Sequence, residues 1–286
     1  MDFTDTCLMK SAPSEEDIFL FTEALGFLIA ETQDPRFMLE LGGYYYGEKD
    51  YVLAQKYYEM AAELGLTDAC SGLGYIWYYG RTGKRDFEKA FHYYSIAAAA
   101  GDLQAEYKLA DMYRNGYFVE KDEAKYRSVI ESLYPKVKDA RYLSEPLPEV
   151  FTRLARIRAE EGKKEEAVEL YRRAKEFLAQ RIRYTGFFGD LSIMMGLIDG
   201  LYALIPFDKE NFDLYDLYRL LLSPCEVRFR RGGKRYTVSA VAEEGGIAVR
   251  FGDVWYRGRE EFFKKALLDG KRLTFLEEEL YLFEVT

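Results

Sequence analysis

Residues 73–101 read LGYIWYYGRTGKRDFEKAFHYYSIAAAAG, and this stretch decides the fold. A Leu-Gly pair opens it, a block of aromatics follows, and Gly80 breaks it. A second run then carries Ala90, Tyr94 and Ala97 before Gly101. Those three stand at i, i+4 and i+7, which is one face of a helix. The small residues let two helix backbones approach closely, and the large Leu and Tyr positions fill the space between stacked pairs. The stretch reads as a helical hairpin that must bury its faces against copies of itself.

Copies are present on both sides. Leu41–Gly47 (LGGYYYG) and Val52–Gly65 (VLAQKYYEMAAELG) precede it, and Leu109–Gly116 (LADMYRNG) with a weaker Lys121–Ser132 follow it. Ala54 and Ala90 are 36 residues apart, as are Gly65 and Gly101, and Leu73 and Leu109. Leu41 to Leu73 spans only 32; Gly42 to Ala54 is 12 and Gly74 to Ala90 is 16, so the difference falls in the loop inside the hairpin. A surface loop tolerates such a change at little entropic cost. After a Pro-containing break at 142–148, a fourth unit repeats the 12-residue spacing from Ala155 to Ala167, with Tyr171 and Ala174 completing it. In the third unit, counting from Ala124 places Ser128 and Glu131 where Tyr and Ala are expected. Gly47, Gly80, Gly116 and Gly162 are expected to end the first helices.

The run Leu73–Gly101, and less closely Leu41–Gly65 and the segment from Leu109, resembles the Sel-one-like repeat. The fourth unit resembles a plain tetratricopeptide repeat. The resemblance covers residues 37–180 and implies a mainly α protein, a right-handed α-α superhelix of helix-hairpin repeats. It also implies a concave face lined by the first helix of each pair and an adaptor's role toward a protein or peptide.

Outside the repeats, Ser14 is placed to cap a helix ending at Thr32, with Glu15, Glu16 and Asp17 in its first turn. Two apolar helices, 191–205 and 212–222, are expected to close the other end. The character changes at Ser223-Pro224. Period-two runs separated by Gly232-Gly233, Gly245-Gly246 and Gly252-Asp253 read as a β-meander, followed by a helix over 260–268, a strand from Arg272 and another at 281–285. The expected organisation is thus a repeat domain over 1–222, with capping helices at both ends, and a small α+β module over 223–286.

Composition narrows the function. A net charge of −9 argues against nucleic acid as the main partner. The N-terminus lacks a basic segment followed by an apolar core, and no run approaches the roughly 18 apolar residues of a spanning helix. The expectation is a cytoplasmic protein with free thiols at Cys7, Cys70 and Cys225. His92 is the one histidine, and no catalytic, metal or cofactor constellation stands around it. The glycine pairs lack phosphate-loop spacing. The basic strip Arg228, Arg230, Arg231, Lys234 and Arg235 reads as a charged edge strand.

The candidate site is a groove. Positions i, i+3, i+7 and i+10 of the first helices select Arg36 and Tyr46, then Tyr75 and Tyr78, then Tyr107, Asp111 and Arg114, and Arg156 with Glu149 and Thr152 in the fourth unit. Tyr and Arg are the residue types enriched at binding hot spots. These tyrosines either hold a peptide or fill the inside of a tight superhelix. A second reading makes 223–286 the functional element, as a dimerisation or ligand-sensing module.

Overall fold

The computed structural model describes residues 14–142, 144–185, 190–206, 212–273 and 281–285. The chain forms two compact units, residues 1–133 and 134–286.

In the first unit, α1 (Glu15–Thr32) is followed by the pairs α2 (Pro35–Gly47) and α3 (Tyr51–Glu63), α4 (Asp68–Tyr79) and α5 (Phe87–Ala99), and α6 (Leu103–Asn115) with α7 (Glu123–Val137), whose end passes into the second unit. Every helix start in this unit except that of α4 carries a side-chain cap. Ser14 and Asp17 form a reciprocal capping box on α1. Asp34, Asp50, Asp86, Asp102 and Asp122 each accept a hydrogen bond from a backbone N–H of the first turn that follows. Gly80 and Gly116 end α4 and α6 in the left-handed conformation, as expected. Gly47 does not: α2 runs on to it, and the left-handed position is Lys49, with φ 65°. Asp50 N–H to Tyr45 C=O and Lys49 N–H to Tyr46 C=O close that turn.

Packing turns on rings set against bare backbone. Tyr58 of α3 lies between Gly42 of α2 and Gly72 of α4; a Cβ on either glycine would sit 2.6 Å from the ring. A Cβ on Gly74 would sit 2.4 Å from the Tyr94 ring. The Leu-Gly pair therefore has a steric reason: Leu41 and Leu73 are buried, and the glycine beside each admits the tyrosine of its hairpin partner. Burial pushes the Tyr58 hydroxyl up to about 12.

The third hairpin corrects the expected register. Tyr126, Ile130 and Leu133 are buried, whereas Ala124, Ser128 and Glu131 face solvent. The buried set lies 36 residues after Ala90, Tyr94 and Ala97, and the Asp122 cap lies 36 after Asp86. Side-chain sizes change along this face, with Tyr and Leu in the alanine slots and Ile in the tyrosine slot. A search for the small-large-small pattern therefore slips by two residues to Ala124. Ala110 stands where Leu-Gly would have its glycine, in line with the missing ring.

In the second unit, α8 (Leu147–Glu160) and α9 (Lys164–Thr185) form a hairpin, followed by α10 (Asp190–Tyr202) and α11 (Leu214–Leu220). Ala167, Tyr171 and Ala174 are buried as the repeat spacing requires, and a Cβ on Gly200 would meet the Tyr171 ring at 2.5 Å. The meander follows as β1 (Cys225–Arg231), β2 (Lys234–Glu243), β3 (Gly246–Phe251) and β4 (Val254–Tyr256). After α12 (Arg259–Lys265) comes a short pair, β5 (Leu267–Leu268) and β6 (Lys271–Arg272), then β7 (Tyr281–Val285). β7 lies antiparallel beside β1, giving the order β4-β3-β2-β1-β7. The strand expected from Arg272 is only the two-residue β6. Phe212, Leu217 and Leu221 share one core with Val227, Phe229, Val238, Val249, Phe262 and Phe263, so α11 and the sheet bury each other.

One buried charge cluster ties α9 to α11. The Lys175 ammonium lies 2.7 Å from Asp216 and 3.0 Å from Asp213. Burial, with Asp213 beside it, raises Asp216 to about 7 against the pull of Lys175. A carboxyl raised on folding favours the native state below its unfolded value, and this contribution is lost as pH rises through the folded one. The stability of the native chain minus that of Asp216→Asn should therefore fall between about pH 4 and about pH 7, read from urea melts. An equal slope for both proteins would remove Asp216 from the pH dependence. The ring-against-backbone packing predicts that Gly74→Ala lowers stability by about 1–3 kcal/mol. Gly43→Ala, whose nearest obstacle is the Tyr58 hydroxyl at 3.9 Å, should leave stability unchanged or raise it by up to about 1 kcal/mol.

Candidate peptide-binding face

Two cations set among tyrosine rings organise one face of the first unit. Lys108 of α6 is only 6% exposed. It stands 36 residues after Gly72, so a lysine occupies a slot that is glycine in the preceding repeat. Its ammonium donates to the Tyr79 hydroxyl at 2.7 Å. It also lies 5.0 Å from the ring centres of Tyr75 and Tyr79, 5.2 Å from Tyr107 and 5.3 Å from Tyr78. A cation over ring faces within about 6 Å is attracted by the ring quadrupoles. These rings replace part of the water that a buried ammonium gives up.

Arg81, exposed in the loop after α4, continues the cluster. Its guanidinium lies 5.3 Å from the Tyr51 ring centre and 5.1 Å from that of Tyr79, and its charge bears on the nearby Tyr46 hydroxyl. Burial raises Tyr46 above the usual phenol range, with Arg81 opposing the shift. The hydroxyls of Tyr75 and Tyr107 are 2.9 Å apart, and Tyr75 donates to Gln104 Oε1 at 3.4 Å. A continuous strip of phenol rings, phenol hydroxyls and two cations thus runs from Tyr46 to Tyr107.

The residues named from sequence divide accordingly. Tyr46, Tyr75, Tyr78 and Tyr107 come together. Tyr78 has a second duty, since its ring packs on Phe87, Tyr94 and Tyr117. Arg36 is engaged with the Asp34 carboxylate at the start of α2, which holds Asp34 down to about 2. Arg114 stacks on Tyr126 at 5.1 Å, and Asp111 is half-buried on α6. Arg156 is exposed on α8 in the second unit. On the same helix Glu149 is buried against Arg181 and the Thr152 hydroxyl is bonded to Pro148 C=O, so these two positions face the core and not a groove. His92 is exposed beside Tyr93. Sequence reasoning missed Lys108, Tyr79 and Arg81. The available signal was a lysine in a glycine slot of a packing face.

The repeats have counterparts among known proteins. Residues 35–66, 67–102, 103–125 and 161–176 match the Sel1 repeat. The first two matches span the hairpins α2–α3 and α4–α5, the third covers α6 and the start of α7, and the fourth covers the first part of α9. The chain is 44% identical over 57 residues to a Helicobacter pylori (strain ATCC 700392 / 26695) protein named "Putative beta-lactamase HcpC", a stretch covering 20% of this chain and 19% of that one. The J99 strain's protein of the same name is 38% identical over 65 residues, covering 23% and 22%. The chain thus spans about a fifth of the length of these curated relatives. Among solved structures, c5321, a protective antigen of uropathogenic Escherichia coli with an SLR fold, matches at 20% identity and TM-score 0.44, over 70% of this chain and 47% of that one. A Sel1 repeat protein from Oxalobacter formigenes matches at 27% identity and TM-score 0.35, over 43% and 92%. Among the described residues, no helix is long and apolar enough to cross a membrane.

Lys108→Met keeps the side chain's length and removes its charge. It should lower stability by about 1–2 kcal/mol in chemical denaturation, through loss of the bond to Tyr79 and the ring contacts. A stability equal to that of the native chain would show that the ring cluster gains nothing from the cation.

Proposed function

We propose that this chain is a non-enzymatic cytoplasmic adaptor that holds a peptide or protein segment on the face running from Tyr46 to Tyr107. The observation that carries the reading is the strip itself. Tyr79 and Arg81 are exposed on it, and Tyr46 and Tyr75 are half-buried. Rings with polar tips offer apolar area and hydrogen bonds at low entropic cost, and a guanidinium adds a directional donor set. Arg36, Asp111, Arg114 and Arg156 would serve at most at the margins. The division of labour proposed here gives residues 1–222 the scaffold's role and 223–286 that of an attached α+β module.

A peptide selected from a phage-displayed library on the full chain provides the test. Arg81→Ala and Tyr79→Ser should each weaken its binding about tenfold or more, measured by calorimetry at a temperature well below the melting transition of each variant. Undiminished affinity in both variants would remove the assignment. Tyr78 is a poor probe, because its truncation would also damage the packing around Tyr94.

A second reading, self-association through 223–286, is favoured by the edge strand β4, where Val254 and Trp255 are exposed. An exposed apolar edge invites strand pairing. Light scattering should then show a dimer that Val254→Ser with Trp255→Ser dissociates. A monomeric native chain would end this reading.

A further inference from the structure

A helix that closes the end of a hairpin stack normally turns a polar face to water. α1 does not. Its inner stripe, centred on Leu25 and Ile29, is buried in one cluster with Met38 and Leu41 of α2. On the opposite side Phe19, Leu20 and Phe27 are 62%, 59% and 65% exposed. Leu20, Ala24 and Phe27 stand at i, i+4 and i+7, so they form one outward stripe, with Phe19 at its margin. Exposed Glu16, Glu23 and Glu31 lie on the same side. Between residues 15 and 32 there is no lysine or arginine.

We propose that the outer face of α1 docks a basic amphipathic helix of another protein. Its apolar anchors would lie on Leu20, Ala24 and Phe27, and its lysines or arginines beside Glu16, Glu23 and Glu31. Stripes spaced i, i+4, i+7 are how helices are read in helix-to-groove recognition. Charge selects the occupant. In an antiparallel pair of α1 helices, Leu20 would meet Phe27, but Glu16 would face Glu31 and the two Glu23 side chains would adjoin. In a parallel pair every glutamate would face its twin. Either arrangement crowds like charges with no cation of α1 to separate them. A basic helix satisfies the apolar stripe and the carboxylates together.

The test uses the full chain and three labelled 18-residue peptides in fluorescence anisotropy. The first places Leu at i, i+3, i+4 and i+7 and Lys elsewhere, the second scrambles that composition, and the third replaces Lys with Glu. The patterned Leu/Lys peptide should bind at least tenfold more tightly than either control. Leu20→Ser with Phe27→Ser should weaken it at least tenfold at an unchanged melting temperature. Glu16→Lys, Glu23→Lys and Glu31→Lys together should transfer the preference to the Leu/Glu peptide. Arg81→Ala should leave binding unchanged, which separates this face from the tyrosine strip. Equal binding of patterned and scrambled peptides, or unchanged binding in the Leu20→Ser/Phe27→Ser protein, overturns the proposal. So does a native dimer, seen by light scattering, that the same double substitution dissociates, because the occupant is then a second copy.

Discussion

The close approach of a tyrosine ring to a glycine backbone is the constraint on which the helical architecture depends. Tyr58 fills the gap between two glycines on two different helices, and Tyr94 and Tyr171 each rest on one. A methyl group at these points would occupy space the ring already holds. The ring must therefore emerge from the second helix at the level of the glycine in the first, and the fixed intervals between Leu-Gly, Ala and Tyr follow from that geometry. Tertiary packing, rather than helix propensity, is what these positions encode; glycine within a helix is unfavourable by itself.

That same packing supplies the chemistry of the exposed face. Beside the rings packed between layers, the hydroxyls of Tyr75, Tyr79 and Tyr107 gather on one side, whereas the Tyr94 hydroxyl stays buried. Where the third repeat places Lys108 in a glycine slot, the long side chain runs among those rings and ends on the Tyr79 hydroxyl. The strip is therefore in part a product of stacking and in part an addition to it. Tyr78 belongs chiefly to the first category, and Arg81 to the second.

Much of this was legible from spacing. The span of α1, the four hairpins and the meander with its final strand at 281–285 all stand where composition and period put them, because each rests on a local rule: a cap, a helical face, an alternation. The failures have separate causes. The third hairpin exchanged small for large side chains along its packing face, so a rule based on residue size slipped, while the aspartate cap held its position. Lys49 took a left-handed turn that glycine usually marks. The partners of Arg36 and Arg114 were invisible, since an i+3, i+7 count says which way a side chain leaves the helix but not what it meets. Lys108 went unnoticed because a charged residue on a packing face looks like an interruption until its surrounding rings are seen.

The four residues that lengthen the second hairpin's loop have a consequence for how the array holds together. They lie in the segment carrying Arg81 and Thr82. Arg81 engages Tyr46 and Tyr51, and the Thr82 hydroxyl bonds Gln55 Oε1 at 3.2 Å, all in the preceding hairpin. In a linear array each repeat is coupled to its neighbour by their shared interface alone. Here a loop reaches back and adds to that coupling at one junction. Lys108 and Tyr107 tie the third hairpin to the second in the same way, so both junctions of the first unit carry links beyond the packed helix faces, and the three hairpins are coupled more tightly than those faces alone would make them.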